Sequence, residues 1–180
     1  GSPAAALLST SPDELDALDR DGLLAAGTRR DLATNALVLI APPGTVPPVD
    51  LDDLADPARR RIAIANPRTA PAGRYAREAL RAANAWDDVE PRAVYGENVR
   101  QVLEYVARGD AEAGIVYRSD VATFPGRVAV GGTVPADLHP PIRIQGALLR
   151  QDDARPVAFL RWLASAEGRA AFERLGFGPP

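Results

Sequence analysis

Three short, continuously apolar segments, residues 36–41, 62–65 and 114–117, constrain the fold of this 180-residue chain most strongly. Each has the length of a buried strand, and the longest is far too short to cross a bilayer. Segments with helical periodicity separate them, notably residues 72–83 and 97–108. Strands that alternate with helices at this spacing predict an α/β fold with a largely parallel sheet.

The remaining apolar patterns add elements towards both ends of the chain. Further strands are expected at residues 4–10, 93–95, 127–130 and 142–149, and further helices at residues 12–26, 50–55 and 156–175. The last helix is expected to break once near Ser165, because a serine side chain can cap the start of a new helix.

Three positions lie where a predicted strand ends and a ligand of a parallel sheet would bind. The helix after residue 65 opens with Pro71, so the backbone N–H of Ala72 lacks a partner within the helix. Asn98 can cap the next helix, which leaves the N–H of Val99 at its end. Tyr117 ends an apolar strand with a phenol that can donate a hydrogen bond. Because a helix N-terminus favours negative charge, these groups form a candidate anion site.

Each of these positions also has an ordinary structural explanation. The two helix starts are what any strand–helix connection provides, and water can satisfy their N–H groups. Tyr117 on its own is typical of a core tyrosine whose hydroxyl reaches solvent. The anion site is therefore predicted from the convergence of the three positions on one sheet edge.

The charge of the chain narrows the classes of partner. A net charge of −3 argues against general binding to nucleic acid or to an anionic membrane surface. No apolar segment is long enough to insert directly into a membrane. The expected partner is therefore neither nucleic acid nor lipid.

Catalytic and metal-binding interpretations find little support in the residues. The chain has no cysteine and a single histidine, His139, which excludes thiolate chemistry and cysteine-ligated zinc. None of the serines lies in a nucleophile elbow, and no Gly-rich phosphate loop is present. We therefore expect no enzymatic activity, no catalytic residues, no metal site and no cofactor.

Several stretches, taken together, resemble the molybdate-binding periplasmic proteins of ABC importers. The most specific are Pro71-Ala72-Gly73-Arg74-Tyr75-Ala76 and Gly114-Ile115-Val116-Tyr117, and the resemblance covers nearly the whole chain. It also includes Asn35-Ala36-Leu37-Val38-Leu39-Ile40-Ala41-Pro42, Glu97-Asn98-Val99-Arg100, Ser165-Ala166-Glu167-Gly168 and Leu175-Gly176-Phe177.

The resemblance implies a type II periplasmic-binding fold with two lobes. Residues 1–34 and 146–180 would form the first lobe, and residues 35–145 the second. The ligand would be molybdate or tungstate, held by the backbone N–H groups of Ala72 and Val99 and by the hydroxyl of Tyr117. The partner would be the membrane subunit of an ABC importer, and the location would be periplasmic or extracytoplasmic, with or without a lipid anchor.

The sequence departs from the family pattern in the first lobe. Relatives complete the hydrogen bonds to the anion with two serines from an opening stretch that this sequence lacks, so the first lobe is expected to be incomplete. Hydrogen bonds to charged groups contribute about 1.5–3 kcal/mol each, and we therefore expect these 180 residues to bind the oxyanion weakly or not at all. The segment 144–147 (Ile-Gln-Gly-Ala) is also less apolar than the returning strand of relatives.

Two other classes of function remain open from the sequence. The same bilobed fold serves as the ligand-sensing domain of transcription regulators, and a helix-turn-helix elsewhere in such a protein would favour that alternative. An anion-dependent transferase is the third possibility, but the residues offer no pair of base and nucleophile to support it.

Overall fold

A computed structural model of the chain describes residues 4–10, 12–149 and 155–180. The chain divides into two compact units: unit 1 comprises the residues up to Asn35 and those from Ile142 onwards, and unit 2 comprises Ala36–Pro141. The second boundary lies four residues before the predicted one, because a strand that begins at Arg143 pairs within unit 1. None of the described helices is both long and apolar enough to cross a lipid bilayer.

The described residues form eight strands and eight α-helices, numbered here in chain order. The strands are β1 (Ala6–Ser9), β2 (Arg30–Thr34), β3 (Leu37–Ala41), β4 (Ile62–Ala65), β5 (Ala93–Gly96), β6 (Ala113–Tyr117), β7 (Ala129–Thr133) and β8 (Arg143–Leu148). The helices are α1 (Pro12–Arg20), α2 (Leu51–Ala55), α3 (Pro71–Ala82), α4 (Trp86–Val89), α5 (Val99–Ala107), α6 (Arg118–Ala122), α7 (Arg155–Leu163) and α8 (Ala166–Arg174).

Unit 2 is built on a five-stranded sheet in the order β5-β4-β6-β3-β7. Strands β5, β4 and β6 are parallel, whereas β3 runs antiparallel to both β6 and β7. The prediction of a largely parallel sheet is therefore wrong for half of its pairings. Strand β3 is buried along its whole length, a pattern typical of parallel strands, and apolarity alone does not reveal strand direction.

The parallel part of the sheet brings three chain segments to one edge. Ala65 at the end of β4 pairs with Gly96 at the end of β5, and Ala63 pairs with Gly114 of β6. The carboxyl ends of the three strands therefore lie at the same edge, where α3 and α5 begin. Both helices pack against β4, and α5 also contacts β5 and β6.

Unit 1 contains a smaller antiparallel sheet in the order β1-β8-β2. Helices α7 and α8 pack on it around a core formed by Leu32, Leu148, Leu160 and Leu163. Gly146, in the central strand, is closely packed, because a Cβ there would lie 2.7 Å from the end of the Leu32 side chain and 2.8 Å from that of Leu160. This close packing accounts for one of the departures noted in segment 144–147.

Helix α8 confirms the predicted break in the last helical region. Ser165 precedes α8, and its hydroxyl accepts a hydrogen bond from the N–H of Gly168 at 3.3 Å. Strand β2 was not expected from the sequence, which predicted a longer first helix followed by a loop. Helix α1 instead ends at Arg20, and the chain turns at Gly22 with φ of 67°.

Candidate functional site

The first predicted site position, Ala72, lies in the first turn of α3. Ala70, the residue before the helix, is its N-cap. The backbone of Ala70 is extended, and its side chain makes no capping hydrogen bond. The N–H groups of Gly73 and Arg74 both bond to the carbonyl of Ala70. The N–H of Ala72 makes no hydrogen bond within the described part of the chain, so it remains available to a ligand.

Gly73 fixes how closely the start of α3 approaches the sheet. A Cβ at this position would lie 2.1 Å from the carbonyl oxygen of Ala65, the last residue of β4. Glycine is therefore required here because the first turn of the helix packs directly on the end of the strand.

The second predicted position, Val99, is the first residue of α5. Asn98 caps the helix by accepting a hydrogen bond from the N–H of Gln101 at 3.1 Å, as predicted. The side chain of Gln101 reaches back to the N–H of Glu97 at 2.6 Å, which completes a reciprocal capping box. The N–H of Val99 takes part in neither bond and has no partner among the described residues.

The third predicted position, Tyr117, is the last residue of β6 and is only 9% exposed. Its hydroxyl is buried and has no hydrogen-bond partner in the described residues. Burial raises the pKa of this phenol well above its usual range, and the nearby Tyr75 and Asp120 raise it further. The hydroxyl is therefore protonated at neutral pH and can donate a hydrogen bond.

Leaving such a hydroxyl unpaired is unfavourable, at about 1–3 kcal/mol for a buried polar group. If the side chain at this position served only to fill the core, phenylalanine would fit there equally well. The unpartnered hydroxyl is therefore a donor that packing alone does not require, and the role of Tyr117 in binding stays a prediction.

Charged groups around this edge were not recognised from the sequence. Arg74, in the first turn of α3, is close enough to lower the pKa of Tyr117. Burial raises the pKa of the Asp120 carboxyl, and Arg100 at the start of α5 partly opposes that shift. Asp120 lies in α6, the short helix that directly follows the Tyr117 strand.

His139 lies in the irregular segment before β8, and its side chain is buried. Its ring meets Tyr75 edge to face, with 5.9 Å between ring centroids, and its Nδ1 lies 2.8 Å from the carbonyl oxygen of Pro140. In the part of the chain that the structure describes, no group of three or more histidine or acidic side chains could hold a metal ion. His139 therefore packs against the helix that carries Ala72.

Known proteins match this chain along nearly its whole length. Residues 1–178 match the family described as bacterial extracellular solute-binding protein. The molybdate-binding protein ModA of Escherichia coli is 34% identical over 187 residues, which cover 98% of this chain and 71% of ModA. The Bacillus subtilis protein YvgL, provisionally named an ABC transporter substrate-binding lipoprotein, is 34% identical over 98% of this chain and 68% of its own length.

Solved structures agree with these sequence matches. The periplasmic molybdate-binding protein of Azotobacter vinelandii superposes with a TM-score of 0.80 at 27% identity, over 100% of this chain and 80% of that one. The substrate-binding domain of a Clostridium difficile transporter, provisionally assigned to molybdenum, gives a TM-score of 0.88 at 28% identity, over 100% of this chain and 79% of that one.

Proposed function

We propose that this chain, which belongs to the family of bacterial extracellular solute-binding proteins, captures molybdate or tungstate for an ABC importer. The relatives named for molybdate binding support the choice of ligand. The match to a transport family favours this function over the alternative of a sensing domain in a transcription regulator. The proposal includes no catalysis and no cofactor, because the anion itself is the cargo.

The observation that carries the proposal is the buried, unpartnered hydroxyl of Tyr117 at the edge where two helices begin. The N–H groups of Ala72 and Val99 are free donors at the starts of those helices, with no partner among the described residues. We assign these three donors to the oxyanion. Together they offer hydrogen bonds to an anion whose oxygens can only accept.

Binding of this kind requires no opposing full charge. The partial positive charge at each helix N-terminus stabilises a dianion by about 0.3–1 kcal/mol, and hydrogen bonds to a charged acceptor contribute about 1.5–3 kcal/mol each. Because the Tyr117 hydroxyl holds its proton, capture and release transfer no proton between protein and anion. The anion therefore enters and leaves without a chemical step, as a transport cargo must.

Location and partner follow from the same proposal. A solute-binding protein of an importer works outside the cytoplasm, either free in the periplasm or tethered by a lipid anchor, and YvgL provides a relative named as a lipoprotein. Its protein partner would be the membrane subunit of the importer. Neither nucleic acid nor direct insertion into the membrane has a part in this function.

Isothermal titration of the chain with molybdate, tungstate and sulfate tests the proposal. We expect saturable binding of molybdate and tungstate with similar affinities, because backbone donors barely distinguish two anions of such similar size and charge. Sulfate is smaller and should bind more weakly. Sulfate binding equal to or tighter than molybdate binding would contradict the assigned ligand.

A further inference from the structure

A second candidate binding site lies within unit 2, in a cavity of about 410 Å³. Volumes of this order are typical of pockets for small organic molecules, and the cavity is far larger than one tetrahedral oxyanion. None of the three predicted oxyanion donors lines it. The lining residues come from the loop after β4, from α3, from the segment around α4 and from β5: Asn66, Pro67, Arg68, Arg77, Arg81, Trp86, Glu90 and Tyr95.

The charge of this cavity is opposite to that of the whole chain. Three arginines face one carboxylate, that of Glu90, which gives the lining a formal charge of +2 (three positive minus one negative) in a chain of net charge −3. Burial raises the pKa of Tyr95, Glu90 raises it further, and Arg68 and Arg77 lower it. These charges therefore lie close to one phenol group at the cavity.

The guanidinium groups of the cavity are not occupied by hydrogen bonds or ion pairs to the described part of the chain. Among the described residues, the guanidinium groups of Arg68, Arg77 and Arg81 form no ion pair and donate no hydrogen bond. The Nε of Arg77 is buried without a partner. A buried donor on a charged group is unfavourable unless it is paired, so this atom indicates a missing acceptor.

Arg92 shows what a structural arginine looks like in the same region. Its guanidinium donates to the carbonyl oxygens of Ala55 and Asp56 at 2.6 Å, and also to that of Asp88 at 2.8 Å. Those bonds hold three chain segments together. The cavity arginines make no comparable contacts, although they lie on neighbouring elements.

Two aromatic side chains give the cavity flat apolar surfaces. Trp86 is 5% exposed and Tyr95 is 42% exposed. The guanidinium of Arg81 lies over the Trp86 ring, 5.9 Å from its centroid, which holds this cation in place by a cation–π contact. Arg77 and Arg81 are four residues apart on α3 and therefore project from the same side of the helix.

We propose that this cavity binds a small organic anion that carries a phosphate or two carboxylates on an apolar or flat body. The guanidinium groups of Arg77 and Arg81 bind the acidic groups, and Trp86 and Tyr95 contact the body of the ligand. Planar guanidinium groups match the geometry of carboxylate and phosphate and can bind either with two parallel hydrogen bonds. The site is separate from the oxyanion donors and does not depend on their assignment.

Calorimetric titration with phenyl phosphate tests this site. We expect saturable binding that persists in the presence of excess molybdate. The substitutions Arg77→Ala and Arg81→Ala should each weaken it about tenfold, because each removes a charge-assisted contact. Arg60→Ala is the matched control, since Arg60 is exposed in the same unit and does not line the cavity. This control should bind like the wild type.

Thermal unfolding separates a binding role from a structural one. Arg77→Ala should leave the melting temperature unchanged or raise it, because it removes an unpartnered buried donor. A marked loss of stability would show that Arg77 supports the fold and would overturn the proposal. Competition by molybdate, equal binding by Arg77→Ala, or association with anionic lipid vesicles in place of phenyl phosphate would also overturn it.

Discussion

Units 1 and 2 both contain paired polar side chains, but they differ in the buried polar atoms that are left without a partner. In unit 1, the amide of Gln145 accepts a hydrogen bond from Arg29 at 2.8 Å and donates one to Asp31 at 2.6 Å. Arg143 also pairs with Asp31, and Arg29 pairs with Asp16. In the described part of the chain, all three buried side-chain N or O atoms without a partner belong to unit 2.

This difference indicates that the ligand-binding sites are to be expected in unit 2. Buried polar groups are normally hydrogen-bonded, so a satisfied network indicates a structural role and an orphaned atom calls for an explanation. Two of the orphaned atoms in unit 2, the hydroxyl of Tyr117 and the Nε of Arg77, belong to residues at the proposed binding sites. In unit 1, the polar side chains of the network form hydrogen bonds and ion pairs with one another, so they require no ligand.

Sheet topology reinforces the contrast. In the sheet of unit 1, neighbouring strands run in opposite directions, so their carboxyl ends do not lie at one edge and no helix N-termini converge there. The parallel strands β4, β5 and β6 of unit 2 end at a common edge, and two helices begin there. An anion site made of backbone donors therefore has its natural place in unit 2.

The largest expected effect comes from the close contact that positions α3. Gly73→Ala places a Cβ against the carbonyl of Ala65, and relieving that overlap should destabilise the protein by about 3 kcal/mol. Urea unfolding measures this change. Ala82→Ser, at an exposed position of the same helix, is the control and should stay close to wild-type stability. An unchanged midpoint for Gly73→Ala would contradict the packing described here.

Tyr117→Phe sharpens the comparison because it should separate binding from stability. Loss of the hydroxyl should weaken molybdate binding about tenfold, as expected for one hydrogen bond to a charged ligand. Stability without ligand should not fall, since the hydroxyl has no protein partner. Calorimetric titration and thermal unfolding measure the two effects. A variant that binds normally but unfolds more easily would assign Tyr117 to the core.

Asp31→Asn tests the opposite expectation in unit 1, where the polar network should affect stability alone. The hydrogen bond from Gln145 is the main reason that the pKa of Asp31 is lowered, and Arg143 and Arg29 contribute. The side chain is 27% exposed, so we expect a loss of only about 1 kcal/mol at neutral pH. Asp52→Asn, at an exposed position of α2, is the control.

The pH dependence of the Asp31 contribution has a definite sign. A carboxyl with a lowered pKa in the folded state stabilises the fold above its unfolded pKa of about 4. That stabilisation is lost as pH falls through the lower folded value. The difference between wild type and Asp31→Asn should therefore disappear in acid, and a difference that grew on acidification would contradict the network.

The smallest expected effect is the alkaline pH dependence of molybdate binding. Because burial raises the pKa of Tyr117, its hydroxyl should remain a donor beyond pH values of about 10, where an ordinary tyrosine ionises. Affinity should thus stay nearly constant up to that range. A titration series at increasing pH checks this, and an early loss of affinity that Tyr117→Phe abolishes would contradict it.

Local signals explain how much of the fold could be predicted. The start of α5 follows from Asn98, whose cap is confirmed, and the start of α8 follows from Ser165 in the same way. Continuous apolar runs in the sequence located β3, β4 and β6, because these strands are buried along their whole length. The positions of Ala72, Val99 and Tyr117 at one sheet edge follow from these elements, and their role in binding remains a prediction.

What the sequence did not reveal depends on contacts between distant residues. Strand β2 carries charged residues at its start, and its partners, β8 and a bridge from Thr34 to Gly178, lie more than a hundred residues later. The antiparallel direction of β3 is likewise set by its neighbours β6 and β7. The arginine cavity combines side chains from four segments, so no local pattern marks it.

The central claim is that the N–H groups of Ala72 and Val99, with the hydroxyl of Tyr117, bind the oxyanion. An amide ¹H–¹⁵N correlation experiment tests it most directly, because it observes both backbone donors and detects weak as well as tight binding. On titration with molybdate, the account predicts that the amide signals of Ala72 and Val99 shift most, and that sulfate moves them less. Saturable binding that leaves both amides unmoved would contradict it.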